Sequence, residues 1–196
     1  MYSNEYDMTE RQESDEQTTV KTIRLPKSLE KSLETEARIR KISLNSFITS
    51  ILARYDEWER IADKFGFMYL AGDALIAILD ALDDAQIVKI AEECGASIPK
   101  AVMEFWFSHV SYETFLKYLS LRSTYQHFVN HEVVSDKDGH LVITARHEHG
   151  RKWSIWSSNF LAQAIRTNFG VNPQLEINGN TFRVDSPSLI KTVTPE

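Results

Sequence analysis

Apolar positions change their period several times along the chain, and each change marks an element. Residues 1–18 contain no Leu, Ile, Val or Phe and are rich in Glu, Asp, Ser, Thr and Gln, which predicts a disordered acidic tail. Thr19 to Leu25 is rich in β-branched residues and closed by Pro26, the signature of a strand of about seven residues that ends where a helix begins. Leu29, Leu33 and Ala37 then recur every fourth residue and predict helix A over 27–40. Ser43 is a favourable N-cap for helix B, whose apolar stripe runs from Leu44, Phe47, Ile48, Ile51 and Leu52 through Tyr55, Trp58, Ala62 and Phe65 to a stop near Gly66.

Beyond Gly66, residues 67–71 read as a short strand, followed by helices over about 73–82, 84–94, 98–109 and 112–126. Gly95, Ser97 and Pro99 set the boundary between the second and third of these. Two hairpins follow, 128–135 with 140–147 through Asp138-Gly139, and 173–177 with 181–185 through Asn178-Gly179. Between them a helix over 152–168 places Trp156, Phe160, Ala164 and Ile165 on one face and ends at Gly170. The pattern defines an α+β chain with an acidic tail (1–18), a strand-helix-helix module (19–66), a mixed domain of helices and two hairpins flanking a helix (67–185), and a flexible tail (186–196).

Charge sharpens this division. The net charge of −6 is unevenly spread: residues 19–55 hold eight basic groups against three acidic ones, while the segments on either side are acidic. Attraction to phosphate depends on the local field, so the basic island predicts nucleic-acid binding despite the acidic total. A lone seven-residue strand needs a partner strand, and the same strand from a second copy supplies one. The resulting antiparallel ribbon fits the DNA major groove. Alternation puts Ile23 and Leu25 toward the helices and Val20, Thr22 and Arg24 on the opposite face. Arg24 can read guanine with two hydrogen bonds, Thr22 can bond a base or touch a thymine methyl, and Val20 offers apolar contact. Ser43 and Asn45 open helix B, where N–H groups favour phosphate, and Lys21, Lys27 and Lys41 add attraction without sequence preference.

At Lys21-Thr22-Ile23-Arg24-Leu25-Pro26, at Leu29, Leu33 and Ala37, and at Ile42-Ser43-Leu44-Asn45-Ser46-Phe47-Ile48 the chain resembles the ribbon-helix-helix family of the MetJ/Arc kind. The resemblance covers residues 19–55. It implies an intertwined homodimer, base readout by Val20, Thr22 and Arg24, and phosphate binding at the Ser43 end of helix B. Two positions depart from the pattern. The inter-helix turn carries Arg40-Lys41 in place of glycine, and Lys21 sits on the core side of the ribbon, where its aliphatic stem can cover the apolar residues. A non-glycine residue in the left-handed region costs about 1–2 kcal/mol, which leaves another turn geometry open.

The rest of the sequence excludes more than it assigns. It has no glycine-rich phosphate loop, nucleophile elbow or HExxH, so the chain is expected to be no enzyme and to carry no cofactor. His127/His131 and His147/His149 have pairwise ligand spacing but lack the further Cys or carboxylate ligands of a tight site, so no metal is expected. Lone Cys94, the lack of a spanning segment and the acidic N-terminus together predict a cytoplasmic protein with no membrane partner. The most unusual remaining cluster is His147, His149, Arg151, Lys152 and Trp153, where a strand enters a helix. It is either a site for a small-molecule effector or protein partner, or a packed corner. This part is similar to the long C-terminal domain of archaeal ribbon-helix-helix proteins. The leading expectation is a dimeric transcriptional regulator bound to double-stranded DNA, its C-terminal domain sensing a signal or assembling tetramers. An antitoxin and an architectural DNA-coating protein are the alternatives.

Overall fold

A computed structural model of the chain describes residues 19–125 and 130–190. The protein is α+β and divides between Phe67 and Met68 into two compact units.

In the first unit α1 (Lys27–Ile39) follows its expected boundaries closely, and α2 (Leu44–Arg54) begins where expected but ends as a regular α-helix at Arg54, well short of Gly66. Ala37 and Phe47 are buried between them, and the Arg40 guanidinium lies 5.2 Å from the Phe47 ring centroid. The stripe of helix B continues, but with changing pitch. A π-helical turn (Tyr55–Glu59), a single turn α3 (Arg60–Ala62) and a 3-10 turn (Asp63–Phe65) carry the chain to Gly66. The Arg54–Glu59 ion pair at 2.8 Å spans five residues, the repeat of a π-turn. Gly66 takes the left-handed conformation with φ 65°, and Phe67 N–H closes onto Ala62 O. This brings Phe67 onto Trp58, with ring centroids 6.0 Å apart.

One expected strand is corrected: residues 67–71 form none, while residues 19–25, whose expected partner is the same segment of a second copy, carry no ladder within the single chain. Both are short segments with no ladder partner among the described residues, and an isolated strand does not hold its backbone in register.

The second unit contains α4 (Gly72–Asp80), α5 (Asp84–Phe107), α6 (Tyr112–Tyr125), β1 (Asn130–Ser135), β2 (Leu141–Arg146), α7 (Gly150–Phe169), β3 (Gln174–Asn178) and β4 (Thr181–Ser186). The two hairpins join in one antiparallel sheet of order β1-β2-β4-β3. Asn178 pairs with Thr181, so the tight loop is Gly179-Asn180, one residue later than expected, with Gly179 at φ 55° in the first turn position. Sheet residues Leu141, Ile143, Phe182 and Val184 are fully buried. α7 packs on β3 and β4 and also against α5, so it is buried on nearly all sides; Ser154, Ser158, Ala162 and Ala164 keep both approaches close.

The helices expected over 84–94 and 98–109 are one continuous helix. α5 begins with a capping box, Gln86 N–H donating to Asp83 Oδ1 (2.8 Å) and Asp83 N–H to Gln86 Oε1 (2.9 Å). It then runs through Gly95 and Pro99 without ending. Gly95 is a contact residue: a Cβ there would stand 2.4 Å from the Phe160 carbonyl oxygen on α7. Pro99 lies four residues on, so its missing N–H and its ring fall at the Gly95 carbonyl, where a helix tolerates the loss only if packing holds it. Residues 186–190, expected in a loose tail, stay with this unit. Leu189 is fully buried and donates its N–H to Gly139 O at 2.9 Å. Residues 1–18, His127 and 191–196, on which the acidic tail, one histidine of a pair and the last residues were placed, lie outside the described residues.

Candidate nucleic-acid interface

The basic island is displayed on the first unit. Val20 is 95% exposed, and Lys21, Thr22 and Arg24 are exposed beside it. Lys27 is the first residue of α1, and Lys41 occupies the turn into α2. Among the described residues no ion pair involves Lys21, Arg24, Lys27 or Lys41, whereas Arg40 is held by Glu36 at 2.8 Å and Arg54 by Glu59.

The inter-helix turn does take the left-handed conformation, at Lys41 with φ 57°. Ile42 N–H bonds Ala37 O at 3.0 Å and Lys41 N–H bonds Arg38 O at 3.1 Å, the paired bonds of a Schellman end. A lysine therefore stands where glycine would be unstrained. Two residues on, Ser43 caps α2: its Oγ accepts from Ser46 N–H at 3.0 Å and lies 2.7 Å from Ser46 Oγ. The first-turn N–H groups of Leu44 and Asn45 have no intrahelical acceptor, and Asn45 is exposed. Lys41, Ser43 and Asn45 thus gather at one helix N-terminus, a chemistry suited to an anion.

The same unit leaves apolar side chains uncovered. Ile23 is 58% exposed and Leu52 63%, with Leu29, Ile51 and Tyr55 also exposed. Several of these belong to the periodic stripe that the sequence assigns to a core.

The second candidate cluster is a worked corner of the α+β unit. His147 is buried. Its Nδ1 accepts from His149 N–H (3.1 Å), so its proton sits on Nε2 and is donated to Ser154 Oγ (2.8 Å), which in turn donates to Gly179 O (2.7 Å). Burial, then the neighbouring His149, pushes His147 down to about 4. His131 on β1 is likewise pushed down to about 4, by burial and by Arg122 and His147. Arg151 Nη1 meets Asp84 Oδ2 at 2.7 Å, and Lys152 Nζ donates to Asp80 O (2.9 Å) and Leu82 O (2.6 Å), closing the end of α4. Trp153 is buried in a stack with Trp156, centroids 5.0 Å apart, and Trp156 stacks on Phe160 at the same distance. Both cations are thus engaged by groups of the same unit. Among the described residues no group of three or more His, Cys, Asp or Glu is placed to hold a metal ion. Burial and adjacent Glu93 raise the Cys94 thiol, the opposite of activation. No helix of the described residues is long and apolar enough to cross a membrane.

Comparison with known proteins adds one match. The HicB family profile aligns with residues 12–52, about a fifth of the chain and nearly the segment that carries the cations. No curated protein and no solved structure matches the chain.

Sequence reasoning missed the continuity of α5, which was readable in Ile87, Ala91, Gly95 and Pro99, an unbroken four-residue repeat that all proves buried.

Proposed function

We propose that this protein is a DNA-binding regulator that works as a dimer through its first unit. The observation that carries the reading is the exposed apolar set of Ile23, Leu29, Ile51, Leu52 and Tyr55, in a segment where Lys21, Arg24, Lys27 and Lys41 lack acidic partners among the described residues. A second copy that paired residues 19–25 as an antiparallel ribbon would cover that apolar set and leave Val20, Thr22 and Arg24 outward. The Ser43 ends of the two α2 helices would then meet the flanking phosphates, with Lys21, Lys27 and Lys41 supplying salt-dependent attraction. The α+β unit serves assembly or signal response.

The experiment is enrichment of random duplexes on the full chain, followed by footprinting. A discrete operator with two half-sites is expected. Arg24→Ala should lose about 1–3 kcal/mol on that operator and relax preference at one base position per half-site, with the dimer intact. Failure to enrich any sequence, together with binding that is insensitive to salt, would refute the reading.

The HicB-family match favours one second reading, an antitoxin, because HicB proteins are antitoxins of a ribbon-helix-helix-like type. Here the same first unit would bind DNA while the α+β unit engages a toxin. Co-expression with the product of an adjacent reading frame distinguishes the two: relief of growth arrest supports the antitoxin.

A further inference from the structure

Among the described residues no strand pairs with the outer edge of β1. Soluble proteins guard such edges with charged side chains, above all lysine, and with proline, a bulge or a covering segment, and Glu132 is the one charged side chain of β1. β1 pairs with β2 in unbroken register from Asn130 to Ser135, contains neither lysine nor proline, and carries Val133 and Val134 at 36% and 56% exposure. The opposite edge is different. Full self-overlap of β3 would set Glu176 against Glu176, and a shift toward its start brings in Pro173, which has no N–H to give.

We propose that the β1 edge is a self-association surface, on which β1 of a second copy pairs antiparallel with Val133 at the centre. Antiparallel partners point to the same face, so the two inner faces stay continuous only if inner residues oppose inner ones. His131, Val133 and Ser135 share the inner face with Ile143, while Glu132 and Val134 lie on the outer face. Centring on Glu132 opposes two carboxylates, and centring on Val134 sets Glu132 against Asp136. Centring on Val133 opposes Val133 to Val133, Glu132 to Val134, and His131 to Ser135, with no like charges paired. This register joins the two four-stranded sheets into one of eight strands. The inference goes beyond the proposed function and does not depend on DNA binding. If the first unit also dimerises, each chain has two isologous interfaces, which close as a tetramer or extend as an array along DNA.

The test uses the full chain in sedimentation equilibrium. Val134→Glu sets a new carboxylate opposite that of Glu132 twice across the axis and should weaken association about ten-fold or more, lowering the mass. Val134→Lys places a cation opposite Glu132 and should associate at least as tightly as the wild type. Glu132→Lys combined with Val134→Glu should restore association. Helix and sheet content by circular dichroism, the same in all variants, excludes misfolding as the cause. If Val134→Glu is a dimer derived from a larger wild-type assembly, the ribbon reading and the β1 edge both stand; if it is a monomer derived from a wild-type dimer, the edge stands and the ribbon reading fails. An unchanged mass in Val134→Glu, or equal disruption by lysine and glutamate, overturns the proposal, as does a wild type that is monomeric at every concentration reached.

Discussion

Lys41→Gly separates stability from binding at a single residue. Lys41 sits at φ 57° in the Schellman turn that links α1 to α2. A side chain in that conformation costs about 1–2 kcal/mol, which glycine avoids. Glycine gives back about 0.5–1 kcal/mol through its extra freedom in the unfolded chain. The net expectation is stabilisation by about 0.5–1 kcal/mol per chain, a rise of a few degrees in the melting transition of the first unit. The same change removes a cation with no acidic partner among the described residues from the α2 N-terminus. If each Lys41 of a dimer neutralises one phosphate, the slope of log affinity against log salt should fall by about 2, with base preference untouched. Lys41→Ala is the control, since it removes the charge and keeps the strain. It should reproduce the loss of affinity without the gain in stability. Calorimetry and salt titration on the enriched operator read both quantities. A glycine variant that melts lower, or that keeps the wild-type salt slope, would refute the assignment of a strained, phosphate-facing lysine.

Two further outcomes concern the second unit. Gly95→Ala should destabilise it by about 1–3 kcal/mol in urea titration, because the new methyl meets the backbone oxygen of Phe160, which cannot turn aside; an unchanged midpoint would mean α5 and α7 do not pack this closely. His131 and His147 are both held near 4 in the folded protein against 6.5 when unfolded. The unfolded chain therefore binds more protons between these values, and stability present above about pH 6.5 is lost as pH falls toward 4. By pH 5 the loss is about 2 kcal/mol per histidine, and His147→Gln should flatten the slope.

How far the sequence could be read depended on whether the cause of an element was local. Caps and turns were legible because neighbouring residues decide them. Ser43 caps α2 through a residue three positions away, and Gly170 ends α7 at φ 68°. The hairpins were legible for the same reason, apart from the one-residue shift at Gly179 that only cross-strand pairing sets. Gly95 and Pro99 misled because their meaning was tertiary. Alone they signal a break, yet against α7 the missing Cβ admits Phe160 and the helix continues. The corner at His147 to Trp153 was ambiguous for a related reason. Its composition suits an anion site or a packed joint, and only distant Asp80, Leu82 and Asp84 reveal where its charges go.

That fate of charges separates two sets of cations in a way that residue counts do not. In the α+β unit Arg151, Lys152, Arg166 and Arg183 are engaged by Asp84, the Asp80 and Leu82 carbonyls, Glu92 and Asp185. In the first unit Lys21, Arg24, Lys27 and Lys41 have no such commitment among the described residues. A cation already paired within the fold releases little counterion on meeting DNA, because its charge is compensated before binding. Mutations of the two sets should therefore sort cleanly. Lys152→Met removes two charge-assisted bonds from the end of α4 and should cost about 1–2 kcal/mol of stability in the second unit. It should leave the salt slope for DNA unchanged. Lys27→Met should do the reverse, lowering the slope by about 1 per phosphate contact with little effect on melting. Denaturant titration and salt-dependent binding on the same two variants decide the matter. A fall in salt slope on Lys152→Met comparable to that of Lys27→Met would place the α+β unit on the DNA and refute the division.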